Sequence, residues 1–116
     1  MIPKVVHYCW FGGSEMPELA TRCIETWKRY LPDYEFVLWN EKNFNINVNE
    51  YVRQAYKTKK YAFVTDYVRL YALYHYGGIY MDTDVEVLRN LDVFLGHRAF
   101  IGCEDEDMCG TGIMGA

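Results

Sequence analysis

The stretch Gly77-Gly78-Ile79-Tyr80-Met81-Asp82-Thr83-Asp84 decides the reading of this chain. A double glycine stops what precedes it, a short apolar run then reads as a buried strand, and two aspartates follow. In an extended segment the side chains at i and i+2 point the same way, so Asp82 and Asp84 are expected on one face. Two such carboxylates repel unless a cation lies between them. Oxygen-only ligands suit the hard ions Mg²⁺ and Mn²⁺, which also bind phosphate oxygens. A bare Asp-x-Asp recurs by chance in solvated turns. The position at the end of an apolar strand separates this one from that background, because open α/β sheets bind ligands beyond the C-terminal ends of their strands.

Upstream of the glycines, residues 60–76 are predicted as the clearest helix. Ala62, Phe63, Tyr67, Leu70, Tyr71 and Tyr74 form an expected apolar stripe at three- and four-residue steps. On the same helix Asp66 and Arg69 lie three apart and share a face. They read either as a surface ion pair or as a charged pair aimed into a polar pocket.

Towards the N-terminus, residues 4–11 read as a strand closed by Gly12-Gly13. Ser14 is the expected N-cap of a helix over residues 16–30, with Leu19, Cys23, Ile24 and Trp27 as its inner face. Residues 34–39 are predicted as a second strand, 40–49 as an Asn-rich loop with ligand-facing potential, and 50–56 as a short helix. Downstream, residues 85–88 continue the strand or lie extended beside it. Residues 99–103 form another strand, residues 104–107 a solvated acidic loop, and residues 112–116 begin one more strand. Strands alternating with helices define an α/β sheet with crossover connections. Trp10 and Phe11, just before the double glycine, belong either to the core or to a ligand site where glycine lets a ligand near the backbone and Trp10 offers a stacking face.

The 116 residues carry a net charge of −4, with 51% hydrophobic, 24% charged and 17% aromatic residues, which is globular composition and argues against a basic nucleic-acid surface. Cys9, Cys23, Cys103 and Cys109 lack zinc spacing, and the simplest reading is four reduced thiols in a cytosolic protein. His7, His75 and His97 have no partners at metal-ligand spacing and are read as structural. No run suits a signal peptide or a membrane span. Phosphate-loop, dinucleotide and serine-hydrolase motifs are absent.

Three segments taken together resemble one family. They are residues 2–13 (Ile-Pro-Lys-Val-Val-His-Tyr-Cys-Trp-Phe-Gly-Gly), residues 61–69 (Tyr-Ala-Phe-Val-Thr-Asp-Tyr-Val-Arg) and residues 77–84. Their order resembles the DXD-containing glycosyltransferases of the capsule- and lipopolysaccharide-type sugar transferase family. That family includes fungal initiating mannosyltransferases, with the clostridial glucosylating toxins as more distant relatives. The resemblance implies an α/β GT-A fold, a Rossmann-like and mostly parallel sheet flanked by helices, which binds a UDP- or GDP-sugar through Mn²⁺ or Mg²⁺. It implies that Trp10 stacks on the nucleobase with Phe11 beside it. Thr65 would lie near the ribose, and Asp66 and Arg69 at the donor-sugar hydroxyls. Tyr80 would contact the nucleoside, Asp82 the ribose and metal-bound water, and Asp84 the metal.

The implied reaction is sugar transfer with retention of configuration to a glycan or lipid-linked glycan acceptor, as in bacterial surface polysaccharide synthesis. The implied setting is the cytoplasm or the inner face of the membrane, with any peripheral membrane association made through sequence outside this chain. Residues 1–116 would be the donor-binding part of a larger domain, because the chain stops inside the apolar run Gly112-Ile113-Met114-Gly115-Ala116. Two alternatives stand beside this reading. One is a non-catalytic sugar-nucleotide-binding module. The other is a haloacid-dehalogenase-type phosphatase, which also follows an apolar strand with Asp-x-Asp but carries Thr or Val where this chain has Glu86.

Overall fold

In the computed structural model, which describes residues 1–103 and 109–116, the chain runs β1 (Val5–Cys9), α1 (Glu18–Tyr30), β2 (Glu35–Trp39), α2 (Glu50–Lys57), α3 (Tyr61–Tyr76), β3 (Ile79–Met81), β4 (Phe100–Cys103) and β5 (Cys109–Gly115). The acidic loop expected at residues 104–107 lies outside the described residues. The five strands form one sheet in the order β2-β1-β3-β5-β4. β1 is parallel to both β2 and β3, as the α/β pattern requires. β5 and β4 then join antiparallel, so the sheet is mixed. Antiparallel neighbours need only a short reversal, whereas parallel ones need a crossover helix. The stretch between β3 and β4 contains only one short 3₁₀ turn, Asp92–Phe94.

Each face of the sheet carries a core layer. α2 and α3 cover one, where Trp39, Phe44, Val64, Val68, Ala72 and Tyr80 pack together. α1 covers the other, with Ile24, Trp27 and Leu31 against Val6, Ile79 and Met81. Trp27 also donates its indole N–H to the Val85 carbonyl at 2.6 Å. No helix among the described residues is long and apolar enough to cross a membrane.

Several local expectations are corrected. Ser14 does not cap α1. Residues 14–17 are irregular, Pro17 occupies the cap position without a side-chain bond, and the Ser14 carbonyl instead accepts the Trp10 indole N–H at 2.7 Å. Leu19 is exposed, and Ala20 joins Cys23, Ile24 and Trp27 on the inner face.

The α3 stripe is also placed differently. Val64, Val68, Arg69 and Ala72 are buried, while Phe63, Leu70 and Tyr74 are exposed. This helix is apolar on nearly every side, so periodicity alone leaves its inward face undetermined. Branched and small side chains at four-residue steps let it lie close on the sheet. Residues 85–88 form no strand; they run beside α1, where the Val87 amide donates to Thr26 Oγ1 at 2.9 Å. α3 ends where expected: Gly77 and Gly78 take φ of 68° and 115°, in the left-handed region that favours glycine, and β3 starts at once.

His7, on β1, is 1% exposed and its protonation state follows from its partners. An indole N–H can only donate, so His7 Nδ1 accepts from Trp39 at 3.1 Å. His7 Nε2 therefore carries the proton and donates to the Gly77 carbonyl at 2.8 Å. Burial lowers the imidazole below its ordinary 6.5, outweighing the opposing pull of the Gly77 carbonyl and the Glu35 charge. A folded-state value below the unfolded one means that protons favour the unfolded chain. Stability is expected to hold above about pH 6.5 and to fall as the pH drops through that value. Urea midpoints measured between about pH 7.5 and 5 should show this slope, and His7→Phe should flatten it while lowering stability by about 1–3 kcal/mol for the orphaned Trp39 N–H. An unchanged slope in the variant would assign the pH dependence to other groups.

Candidate functional site

A cleft of about 410 Å³ opens at the C-terminal ends of β1 and β3. Its walls come from three places in the sequence. The end of β1 and the turn after it supply Cys9, Trp10, Phe11 and Ser14; the first turns of α3 supply Tyr61, Ala62, Thr65 and Arg69; β3 and the turn that follows supply Tyr80, Asp82, Thr83 and Asp84. The two loci singled out at strand ends therefore face one space. β3 stops at Met81, and the Val85 amide donates to the Asp82 carbonyl at 3.0 Å, so Asp82 and Asp84 sit on a turn rather than on an extended strand.

Arg69 organises the charged wall. It is 7% exposed, and its guanidinium lies 3.2 Å from Asp82 Oδ1 and 3.4 Å from Asp66 Oδ1. It also covers the Tyr80 ring at 4.7 Å, and Nε donates to the Thr65 carbonyl at 3.4 Å. The Tyr80 hydroxyl donates to the same Asp82 oxygen at 2.8 Å. Burial first, then the neighbouring Cys9 and Asp82, push the Tyr80 hydroxyl far above its ordinary range, so it stays a donor at any ordinary pH. Asp82 itself is shifted upward. Burial dominates, with Asp84 and Asp66 adding repulsion, against the lowering pull of Tyr80 and Arg69. Cys9 is pushed up to about 12 by burial, so its thiol stays protonated and is no nucleophile at neutral pH.

The other expected residues divide. Trp10 borders the cleft with its indole held to Ser14, and Thr65 lies on the α3 wall. Phe11 borders the cleft but is 5% exposed and packs edge-on against Phe44, so the core reading describes it best. Asp66 is half-exposed and meets the cleft through Arg69 rather than as part of its wall. The Asn-rich loop does not turn its amides to a ligand. Asn40, Asn43 and Asn45 accept from backbone amides within the loop, and Asn49 caps α2 through the Val52 amide. His75 and His97 are exposed.

Sequence reasoning missed Tyr61, which lies under Gly12: a Cβ at Gly12 would come within 2.6 Å of its ring. It also missed Gly112, whose carbonyl accepts the Asp82 amide at 2.7 Å and where a Cβ would sit 3.2 Å from Asp82 Oδ2. Nothing local marks Gly112, because its partner lies 30 residues away in the chain. Among the described residues no three His, Cys, Asp or Glu side chains group as metal ligands. Two aspartates cannot enclose an ion alone. They do fit a hard divalent cation that takes its remaining oxygens from phosphate and water.

The site thus sets an Asp-x-Asp turn and a buried arginine at the strand ends of a mixed α/β sheet. In fold the chain is similar to the PaToxG glycosyltransferase, with a TM-score of 0.63 over 78% of this chain and 45% of that one, at 21% identity. Residues 17–101 match the family described as the glycosyltransferase sugar-binding region containing the DXD motif, and the chain belongs to that family. It is 30% identical to inositol phosphoceramide mannosyltransferase 3 of Schizosaccharomyces pombe over 98% of this chain and 33% of the relative. It is also 30% identical to a mannosyl phosphorylinositol ceramide synthase of Saccharomyces cerevisiae over 87% of this chain and 27% of that protein. The chain thus spans about a third of the length of the curated relatives it matches. The family assignment decides between the transferase and phosphatase alternatives.

The Tyr80–Asp82 bond is accessible to test. Tyr80→Phe keeps the ring under Arg69 and removes one hydrogen bond. The variant should lose about 1 kcal/mol and melt roughly 4–8 °C lower by calorimetry. An unchanged midpoint would show that this hydroxyl does not hold the turn.

Proposed function

We propose that this chain forms the donor-binding part of a metal-assisted, retaining glycosyltransferase, which takes a UDP- or GDP-sugar and passes the sugar to a glycan or lipid-linked glycan. The observation that carries the reading is the convergence of Trp10, Arg69 and the Asp82–Asp84 turn on one cleft at the strand ends. Asp82 and Asp84 would hold Mn²⁺ or Mg²⁺, whose contribution is neutralisation of negative charge on a departing diphosphate.

The remaining work falls to the chain's own groups. The indole of Trp10, tethered at Ser14, is a ready stacking surface for a base. Thr65 supplies a hydroxyl on the opposite wall, near the ribose in this reading. Asp66 accepts and Arg69 donates hydrogen bonds, a pair suited to sugar hydroxyls. Arg69 and Tyr80 together hold Asp82 Oδ1, which orients the carboxylate and leaves Oδ2 for other partners. Cys9 stays protonated in the floor, so the cleft holds no thiolate to compete as a nucleophile.

The acceptor class follows the same line of support. The fungal relatives are named for inositol phosphoceramide and for mannosyl phosphorylinositol ceramide, which supports a lipid-linked or glycan acceptor for this chain. Surface polysaccharide synthesis in a bacterium, at the cytoplasmic face of the membrane, is the setting we propose for this chain.

Calorimetric titration of the full-length protein with UDP- and GDP-sugars, with and without Mn²⁺, tests the reading. One nucleotide series should bind with an affinity that rises on adding Mn²⁺, and Asp84→Ala should weaken the metal-dependent part at least about tenfold. The assignment fails if neither series binds, or if Asp84→Ala leaves the Mn²⁺ dependence intact.

A further inference from the structure

We propose that Glu41 is a positioning residue of the donor site, holding the Gly12–Gly13 turn and, through it, the indole of Trp10. The role rests on the donor-binding reading above, but the geometry behind it does not. Glu41 lies in the Asn-rich segment after β2, outside the walls of the cleft. Its Oε2 accepts the Gly12 amide at 2.6 Å and the Tyr56 hydroxyl at 2.9 Å. Two donors from separate elements thus meet on one carboxylate oxygen, and bonds to an ionised acceptor are the short, strong kind. The carboxyl titrates below its ordinary 4.5: partial burial opposes this, but the Gly12 and Glu41 amides and the Tyr56 hydroxyl outweigh it. Glu41 is accordingly ionised, and purely an acceptor, at neutral pH.

What Glu41 grips is the point where the backbone is least ordinary. Gly12 has φ of 98° and sits against the Tyr61 ring, and Gly13 follows at 74°. The Tyr61 ring in turn meets that of Tyr56, 5.6 Å away edge-on. One carboxylate therefore joins the glycine turn to α2, while Tyr61 joins it to α3. Trp10 depends on that turn twice over. Its backbone amide is anchored to the Trp39 carbonyl at 3.0 Å, before the turn, whereas its indole N–H is anchored to the Ser14 carbonyl, just after it. Any change in the torsions of Gly12 and Gly13 moves Ser14 relative to Trp39, and the indole must tilt to keep both anchors. Glycine has no side chain to limit those torsions, so an outside restraint is needed. Glu41 supplies it.

The test uses the full-length protein and compares it with Glu41→Ala and Glu41→Gln. Glutamine keeps an oxygen that can accept from both donors but carries no charge. Three quantities are read: Mn²⁺-dependent affinity for UDP and GDP, acrylamide quenching of tryptophan fluorescence, and the thermal midpoint. Trp27 and Trp39 are 0% and 6% exposed, so within this chain the quencher reports on Trp10. Glu41→Ala should weaken whichever nucleotide the parent binds roughly fivefold and increase quenching, and Glu41→Gln should recover most of both. Both changes should persist when read well below the midpoint, which should fall by roughly 4–8 °C in Glu41→Ala and by less in Glu41→Gln. Parent-like affinity and quenching in Glu41→Ala overturn the assignment, and so do losses that merely track a falling midpoint. If the parent binds neither nucleotide, the donor-binding reading falls instead, and quenching together with hydrogen exchange at the Gly12 amide decides whether Glu41 holds the turn.

Discussion

A guanidinium taken out of water has to be neutralised, and the Arg69 side chain is nearly inaccessible. Leaving such a charge unpaired costs several kcal/mol, so the structure around it is tightly constrained. Asp66 lies one turn away on α3, and Asp82 is brought in at the end of β3. The Tyr80 ring supplies a face and its hydroxyl a second bond to Asp82. That network requires α3 to lie over β3 with a particular rotation about its axis. The glycine pair between them makes so short a connection possible. The same network opposes the upward shift that burial imposes on the Asp82 carboxyl in the cleft. Fold and site are therefore stabilised by one set of contacts.

The opposite wall is built from different material. Trp10 stands on a turn of two glycines, held by hydrogen bonds to backbone carbonyls and to one surface carboxylate. Charged groups buried against the sheet are rigid because moving them would expose an unsatisfied charge. A glycine turn held from outside carries no such penalty. Under the proposed function, the charged wall would take a metal-bound diphosphate and the aromatic wall a flat base.

Much of this was legible in the residues. The short apolar runs at residues 5–9, 35–39 and 79–81 are strands because runs of that length, bounded by glycine or proline, have few other folded states. The glycine pair marked the end of α3, and the aspartates fell at a strand end as expected. Other features were not legible, each for a physical reason. α3 is apolar around most of its circumference, so the choice of Val64, Val68 and Ala72 over Phe63, Leu70 and Tyr74 depended on which shapes fit the sheet. The asparagines looked ready for a ligand, but Asn40, Asn43 and Asn45 met backbone amides of their own loop first, because Asn side chains reach amides two or three residues away at little entropic cost. Ser14 has no capping role because α1 starts only at Glu18, with Pro17 at the cap position.

By itself the sequence determined the local elements, the strand-end placement of Asp82 and Asp84, and the grouping of Asp66 with Arg69, since all of these follow from spacing along one chain. The tertiary structure alone decided that Arg69 also reaches Asp82, that β5 and β4 join the sheet antiparallel, that Gly112 abuts Asp82 and that Glu41 reaches Gly12. Spacing reports on neighbours within a turn or two of helix or strand. Burial and pairing between residues 13, 29 or 30 positions apart depend on how whole elements pack, and no local pattern carries that information.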